Sequence, residues 1–206
     1  MRPGADGWGS HGCEAFPGPD CPAAPGDVLW LTEGGREPRA LRIEQLTPPG
    51  FRPFGQVLTE LAGGGGVDIG TGRFWKDVLP IHRDAPAAGI IQYDPRALSI
   101  QRMERHPRSG QTFVSLSPGD ALLALAPDID GEPDLAGLHL FRVGTGEGFR
   151  LAPGTWHASP FPLEGGTLRF LVIMKPGTIG EGTEWYPLPS PLIMAFENPD
   201  SRTSGS

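Results

Sequence analysis

The sequence predicts an all-β domain, a sandwich or barrel such as a jelly roll, and three observations carry that prediction. Short apolar or alternating runs recur at close spacing with turn residues between them. Glycine (31) and proline (24) are abundant in a chain of 206 residues, which suits many tight turns and few helices. Helical periodicity is nearly absent: Glu132–Leu138 alone resembles a helical turn, and it is short.

Taken in chain order, residues 1–39 are rich in Pro, Gly, Asp and small side chains with little periodicity, and read as a flexible or loosely docked extension. Within it the apolar patch Val28–Leu31 is expected to pack on the domain surface or at an oligomer contact. The barrel domain is expected over 40–196 and a flexible tail over 197–206. The expected strands are Leu41–Leu46, Gln56–Leu61, Arg73–Leu79, Ala88–Tyr93, Leu98–Met103 and Gln111–Leu116. They continue with Asp120–Ala126, Leu138–Val143, Gly148–Leu151, Thr167–Met174 and Thr183–Tyr186, with Gly63–Gly66 as a flexible loop. Roughly ten short strands without an internal repeat fit a closed or double-layered sheet.

Composition excludes several functions. The length suits one domain with a sizeable core. With a formal net charge of -7 and no basic stripe, nucleic acid is not an expected partner. No apolar run reaches the 18 residues that a membrane helix needs, and the N-terminus lacks a secretory signal pattern. Cys13 and Cys21 read as two free thiols in a flexible segment, so a cytoplasmic, reducing location is the simplest expectation.

Two short clusters carry the chemistry. The first is Glu104-Arg105-His106-Pro107-Arg108-Ser109-Gly110-Gln111, and the second is Pro153-Gly154-Thr155-Trp156-His157. Residues alternate faces along a strand, so Arg102, Glu104 and His106 share a side if the strand runs that far. The Ser109-Gly110 connection can return Gln111 near His106, and a few strands later the Pro153-Gly154 turn delivers His157. His82 and His139 have no such context and read as structural or exposed. Trp185-Tyr186 reads as lid or dimer packing.

This pattern resembles the cupin superfamily, whose first motif is G-x5-H-x-H-x3,4-E-x6-G and whose second is G-x5-P-x-G-x2-H-x3-N. Glu104 stands at the first histidine of that pattern, His106 at the second, and Gln111 at the glutamate, with Gly119 closing the motif one residue late. Gly148 begins the second motif, Pro153 is followed directly by Gly154, His157 is the expected ligand, and Phe161 replaces the asparagine. More narrowly, the chain is similar to the ureidoglycolate lyases, cupins of allantoin degradation. These carry a Glu-Arg-His-Pro-x-x-x-Gln run and a Trp-His pair. Gly50–Val57, Gly131–Leu135 and Leu138–Phe141 also look like segments of that family, so the resemblance covers roughly residues 41–180. It departs at Gln92-Tyr93, where an Arg is common, and at Lys76-Asp77. It departs again at Met174-Lys175, where an Asp-Arg pair is usual, and at Ala158, where a second His is usual.

The resemblance implies a cupin-type jelly-roll barrel, a homodimer, and a carbon–nitrogen lyase that splits ureidoglycolate into glyoxylate and urea. Such a reaction needs a base, an acid and a counter-charge for the substrate carboxylate, each proton transfer typically contributing about 10²–10⁴-fold. Glu104, His106 and His157 are the catalytic candidates. Gln111, Arg102, Arg105, Trp156, Lys175 and Gln92 are the substrate-binding candidates. Glu104, His106, Gln111 and His157 could also hold a divalent metal (Ni, Mn, Fe or Zn) with positions left for substrate oxygens. The departures keep two other functions open. One is a diverged cupin isomerase, cyclase or hydrolase acting on another small metabolite; the other is a non-catalytic cupin that binds a small ligand.

Overall fold

The computed structural model describes residues 23–59, 67–68, 70–71, 73–74, 86–178 and 182–196. Its strands are β1 (Val28–Glu33), β2 (Arg39–Gln45), β3 (Gly55–Leu58), β4 (Val67–Asp68), β5 (Arg73–Phe74) and β6 (Ala87–Tyr93). Next come β7 (Ser99–Arg105), β8 (Gln111–Ser115), β9 (Ala121–Ala126), β10 (Asp128–Ile129), β11 (Glu132–Pro133) and β12 (His139–Val143). The last are β13 (Gly148–Leu151), β14 (Trp156–His157), β15 (Phe161–Pro162), β16 (Leu168–Met174) and β17 (Glu184–Ala195). Among the described residues the one helical turn is α1 (Pro48–Phe51), with Thr47 as its N-cap accepting from the Gly50 N–H and prolines at positions that need no donor. Two sheets make the body. An eight-stranded sheet runs β12-β2-β1-β17-β7-β14-β9-β15, and the β12–β9 pairing closes all but β15 into a ring. A five-stranded sheet, β3-β13-β8-β16-β6, packs against it. The all-β jelly-roll expectation therefore holds.

Strand β9 is the shared wall. All six of its residues are buried. Leu122, Ala124 and Ala126 enter one apolar cluster with Leu29, Ile100, Met103, Leu140 and Trp156. Ala121, Leu123 and Leu125 enter another with Phe51, Phe113, Phe141, Phe149 and Phe170. Period-two alternation on a strand covered on both sides feeds two cores at once. Phe51 anchors the second core through edge contacts to Phe141 at 5.2 Å and Phe149 at 5.6 Å, and each such side chain contributes about 1.5–3 kcal/mol by leaving water. This second core, between the two sheets, is where the site is built.

Three expectations need correction. Residues 23–39 were expected in the extension, but β1 lies hydrogen-bonded between β2 and β17, and Leu29 and Leu31 are buried in the first core. Alternation of Leu29 and Leu31 inward with Val28 and Trp30 outward outweighs the surrounding Gly and Pro. The expected helical turn at Glu132–Leu138 is instead the short strand β11 followed by a turn, in which the Asp134 carboxylate accepts from the Ala136 N–H. That local bond competes with helix. Finally β17 runs on to Ala195 through Pro187, Pro189 and Pro191, because its register shifts between Pro187 and Leu192 and so absorbs residues that cannot donate. Cys13, Cys21, Gly63–Gly66, Lys76, Asp77, His82, most of Arg73–Leu79 and the tail 197–206 lie outside the described residues.

Candidate active site

Register decides which side chains meet. In the β14–β7 pair His157 stands opposite Glu104, and in the β14–β9 pair His157 stands opposite Leu125 while Trp156 stands opposite Ala126. Directly opposed residues of antiparallel strands share a face. His157 and Glu104 therefore face the second core, and Trp156 faces the first. On β8, Gln111 alternates with Phe113 and so also points inward from the opposite sheet. His106 follows β7 directly, and its carbonyl accepts from both the Ser109 N–H at 3.3 Å and the Gly154 N–H at 3.0 Å. One carbonyl thus ties the first turn to the Pro153-Gly154 turn that presents His157.

Two glycines make these turns possible. Gly154 has φ +82°, a conformation that side chains with a Cβ resist. At Gly110 a Cβ would lie 2.5 Å from the Leu151 carbonyl oxygen and 2.7 Å from the Arg150 guanidinium carbon. Gly110→Ala should therefore cost about 1–3 kcal/mol and displace Gln111. Urea denaturation of the variant would show it, and an unchanged midpoint would contradict the close approach.

Hydrogen bonds fix the tautomer of both imidazoles. His157 Nδ1 lies 2.9 Å from the Thr155 carbonyl oxygen. A carbonyl only accepts, so Nδ1 carries the proton and Nε2 keeps its lone pair. The Thr183 hydroxyl donates to the Thr178 carbonyl at 3.0 Å and lies 3.3 Å from His106 Nδ1. Having one proton, that hydroxyl is left to accept from Nδ1–H, and His106 Nε2 is likewise a bare acceptor. His157 Nε2 sits 3.6 Å from Glu104 Oε1, the imidazole rings are 5.5 Å apart, and one ligand atom from each of Glu104, His106 and His157 lies within 4.8 Å of the others. His106 Nε2 and Gln111 Oε1 are buried without a hydrogen-bond partner. Buried acceptors left bare cost free energy unless something else satisfies them. A divalent cation fits this donor set of carboxylate, two imidazoles and a carboxamide oxygen.

Burial sets the protonation states. Desolvation raises the Glu104 carboxyl above its ordinary pKa, and the nearby Arg102 charge offsets part of that rise. Desolvation lowers His106. It also lowers His157 to about 4, against a smaller opposing effect of the Thr155 carbonyl. Tyr93, inward on β6 and edge-on to Phe170 at 5.9 Å, has its phenol raised by burial and secondarily by the Glu104 charge. Motif spacing does not point to Tyr93; the alternation of Ile91 and Tyr93 inward with Gln92 outward is the signal that does. Thr155 and Thr183, which set the tautomers, left no sequence signal at all.

Three expected binding residues, Gln92, Arg105 and Trp156, point away from Glu104, His106 and His157. Gln92 is exposed on the outer face of β6, where its amide donates to Asp94 and accepts from Arg169. Arg105 is committed to Glu184 at 2.8 Å and to Asp128, and its guanidinium lies 4.6 Å over the Trp156 ring. Trp156 Nε1 donates to Asp128 at 2.9 Å, so Trp156 and Arg105 form a support behind the site, not a wall of its pocket. Arg102 stays beside Glu104, exposed, with its guanidinium 4.0 Å over Trp185, which stands opposite Glu104 on β17. Lys175 is exposed just beyond β16. Ala158 packs in the first core, away from His157.

Residues 38–192 match the family model described as ureidoglycolate lyase. A ureidoglycolate lyase of Rhodobacter capsulatus is 31% identical over 160 residues, which is 75% of this chain and 97% of that protein. Ureidoglycolate lyase 2 of Rhizobium meliloti is 30% identical over 67% of this chain and 87% of its own length. A ureidoglycolate lyase of Burkholderia mallei is 30% identical over 68% and 84%. Among solved structures, an oxalate decarboxylase of Bacillus subtilis superposes with a TM-score of 0.37 at 16% identity, over 51% of this chain and only 24% of that one.

Proposed function

The chain belongs to the ureidoglycolate lyase family, and from that premise we propose that it splits ureidoglycolate into glyoxylate and urea, or a closely related ureido acid into its own oxo acid and urea. The observation that carries the reading is the convergence of Glu104, His106 and His157 with the bare acceptors His106 Nε2 and Gln111 Oε1. The substrate has a carbinol carbon bearing a hydroxyl, a carboxylate and the ureido nitrogen. Glu104 takes the hydroxyl proton, the C=O bond forms as the C–N bond breaks, and the electron pair leaves on nitrogen. Protonated Glu104 then returns the proton to that nitrogen, releasing urea. A carboxyl whose pKa is raised by burial suits both halves, because it is a stronger base and still a competent acid. Gln111 Oε1 accepts from a ureido N–H and orients the leaving group. His157 and His106, neutral with their Nδ1 protons engaged, serve as acceptors or ligands and not as proton donors.

His106 Nε2, His157 Nε2, Gln111 Oε1 and one Glu104 oxygen would hold a divalent ion, leaving the other Glu104 oxygen for the proton. Such an ion would supply Lewis-acid polarisation of the substrate oxygens. An N/O donor set of this kind suits Ni, Mn, Fe or Zn. Calorimetric titration of each metal into chelator-treated protein should give a one-to-one site that His106→Ala and His157→Ala both abolish. Binding that survives either change would remove these residues from the ligand set.

The reading itself is tested by incubating purified protein with ureidoglycolate and measuring urea and glyoxylate. Release in equal amounts is expected. No release with or without added divalent metal, from protein with an intact circular-dichroism spectrum, would overturn it.

A further inference from the structure

A ureido acid carries its carboxylate on the same carbon as the hydroxyl that Glu104 must reach, so its counter-charge has to stand close beside Glu104. Arg105, the next residue, points to the opposite face of β7 and is held by Glu184 and Asp128. Arg96 donates to the Ser159 and Pro160 carbonyls. Arg102 shares the face of Glu104, two residues away along β7. That spacing is about 7 Å, the span of a hydroxyl and a carboxylate on one carbon with a hydrogen bond at each end.

The register across β17 builds a seat for this cation. Trp185 stands opposite Glu104 and Pro187 opposite Arg102, and the Arg102 guanidinium lies 4.0 Å over the Trp185 ring. An aromatic face steadies a cation without neutralising it, and the edge N–H donors of the guanidinium stay available to a carboxylate. Among the described residues Arg102 has no ion-pair partner. Its charge also reaches the base: burial raises the Glu104 carboxyl, and Arg102 offsets part of that rise. Exposure gives the direction of approach. The His157 side chain is 3% exposed and that of Glu104 19%, while Arg102 and Trp185 are open to solvent beside Glu104. A molecule that reaches the site on the Glu104 side meets Arg102 and Trp185 before the imidazoles.

We propose that Arg102, seated on Trp185, binds the substrate carboxylate while Glu104 addresses the hydroxyl on the same carbon. Trp185 is then a positioning residue that acts through Arg102. The proposal rests on the reading of the chain as a lyase of a small ureido acid.

Arg102→Gln is expected to raise KM for ureidoglycolate about 10–100-fold and to lower kcat far less. Arg102→Lys keeps the charge and should recover part of the loss. Trp185→Leu should raise KM about 2–5-fold, and should add nothing in an Arg102→Gln background. KM for the neutral amide of the substrate should not move in any of these variants. Both side chains are exposed, so the urea midpoints should match the wild type. Calorimetric binding of glyoxylate needs no turnover and should weaken in Arg102→Gln as KM rises. Unchanged KM for ureidoglycolate in Arg102→Gln would overturn the assignment, whatever happens to glyoxylate. So would an equal rise in KM for the neutral amide, and independent effects of the two substitutions would remove Trp185 from it. If the wild type does not cleave ureidoglycolate yet Arg102→Gln loses glyoxylate, the lyase reading fails and the carboxylate anchor stands. A wild type that neither cleaves ureidoglycolate nor binds glyoxylate would sink both.

Discussion

Glu104→Gln is expected to lower kcat by about 10²–10⁴-fold while leaving the fold intact. The substitution keeps the shape and the hydrogen-bonding reach of the side chain but removes the carboxylate proposed to take and return the proton. Its neighbours cannot replace it. His157 is neutral with Nδ1 bound to the Thr155 carbonyl, and Tyr93 holds its proton because burial and the Glu104 charge raise its pKa. Without a bound ion, the wild-type rate should also fall on the acid side as pH drops through the raised Glu104 pKa, above the range where an exposed carboxylate would titrate. Steady-state glyoxylate release across pH would show both effects, and a variant that keeps its turnover would exclude Glu104 as the base.

The metal-free protein should lose about 3 kcal/mol of stability at His157 alone as the pH falls from about 6.5 to 4. In the fold the imidazole stays neutral down to about 4, whereas in the unfolded chain it takes a proton near 6.5. Between those values the unfolded chain binds a proton that the folded chain refuses. The contribution of His157 is therefore fully present above the unfolded pKa and is lost as pH falls toward the folded one. His106, also lowered by burial, acts in the same direction. Glu104 acts oppositely: its folded pKa is raised, so its protonation at low pH relieves a burial penalty. Urea denaturation of chelator-treated protein at pH 7 and 4.5 should show a steep loss in the wild type and a much shallower one in His157→Asn. Parallel losses would mean that His157 is not the group refused a proton.

Both effects depend on residues whose identity the sequence displays and whose setting it does not. The Glu-x-His-x4-Gln spacing and the Trp-His pair are local facts, and alternation along β7 is enough to put Glu104 on a common face with a following histidine. The carbonyl of His106 that ties the two turns together joins segments nearly fifty residues apart, and nothing in either segment announces it. Arg105 shows the limit most plainly. In the sequence it is a cation beside the site, but it lies on the opposite face of β7, where Asp128 and Glu184 from other strands hold it. Gln92 was misread for the same reason, since one step along β6 separates the inward Tyr93 from the outward Gln92.

By itself the sequence determined the all-β class, most strand positions, the four inward polar residues and the family resemblance. These follow from period-two alternation, from turn-forming Pro and Gly, and from motif spacing, all of which are encoded within a few residues. Only the tertiary structure decided that residues 23–39 enter the ring as β1 and β2, that β9 serves two cores, and that the Nδ1 protons of both histidines are engaged. It also decided that Arg102 rests on Trp185, opposite Glu104. Such facts rest on register between strands distant in the chain, and register is set by the burial of whole faces and not by any one segment.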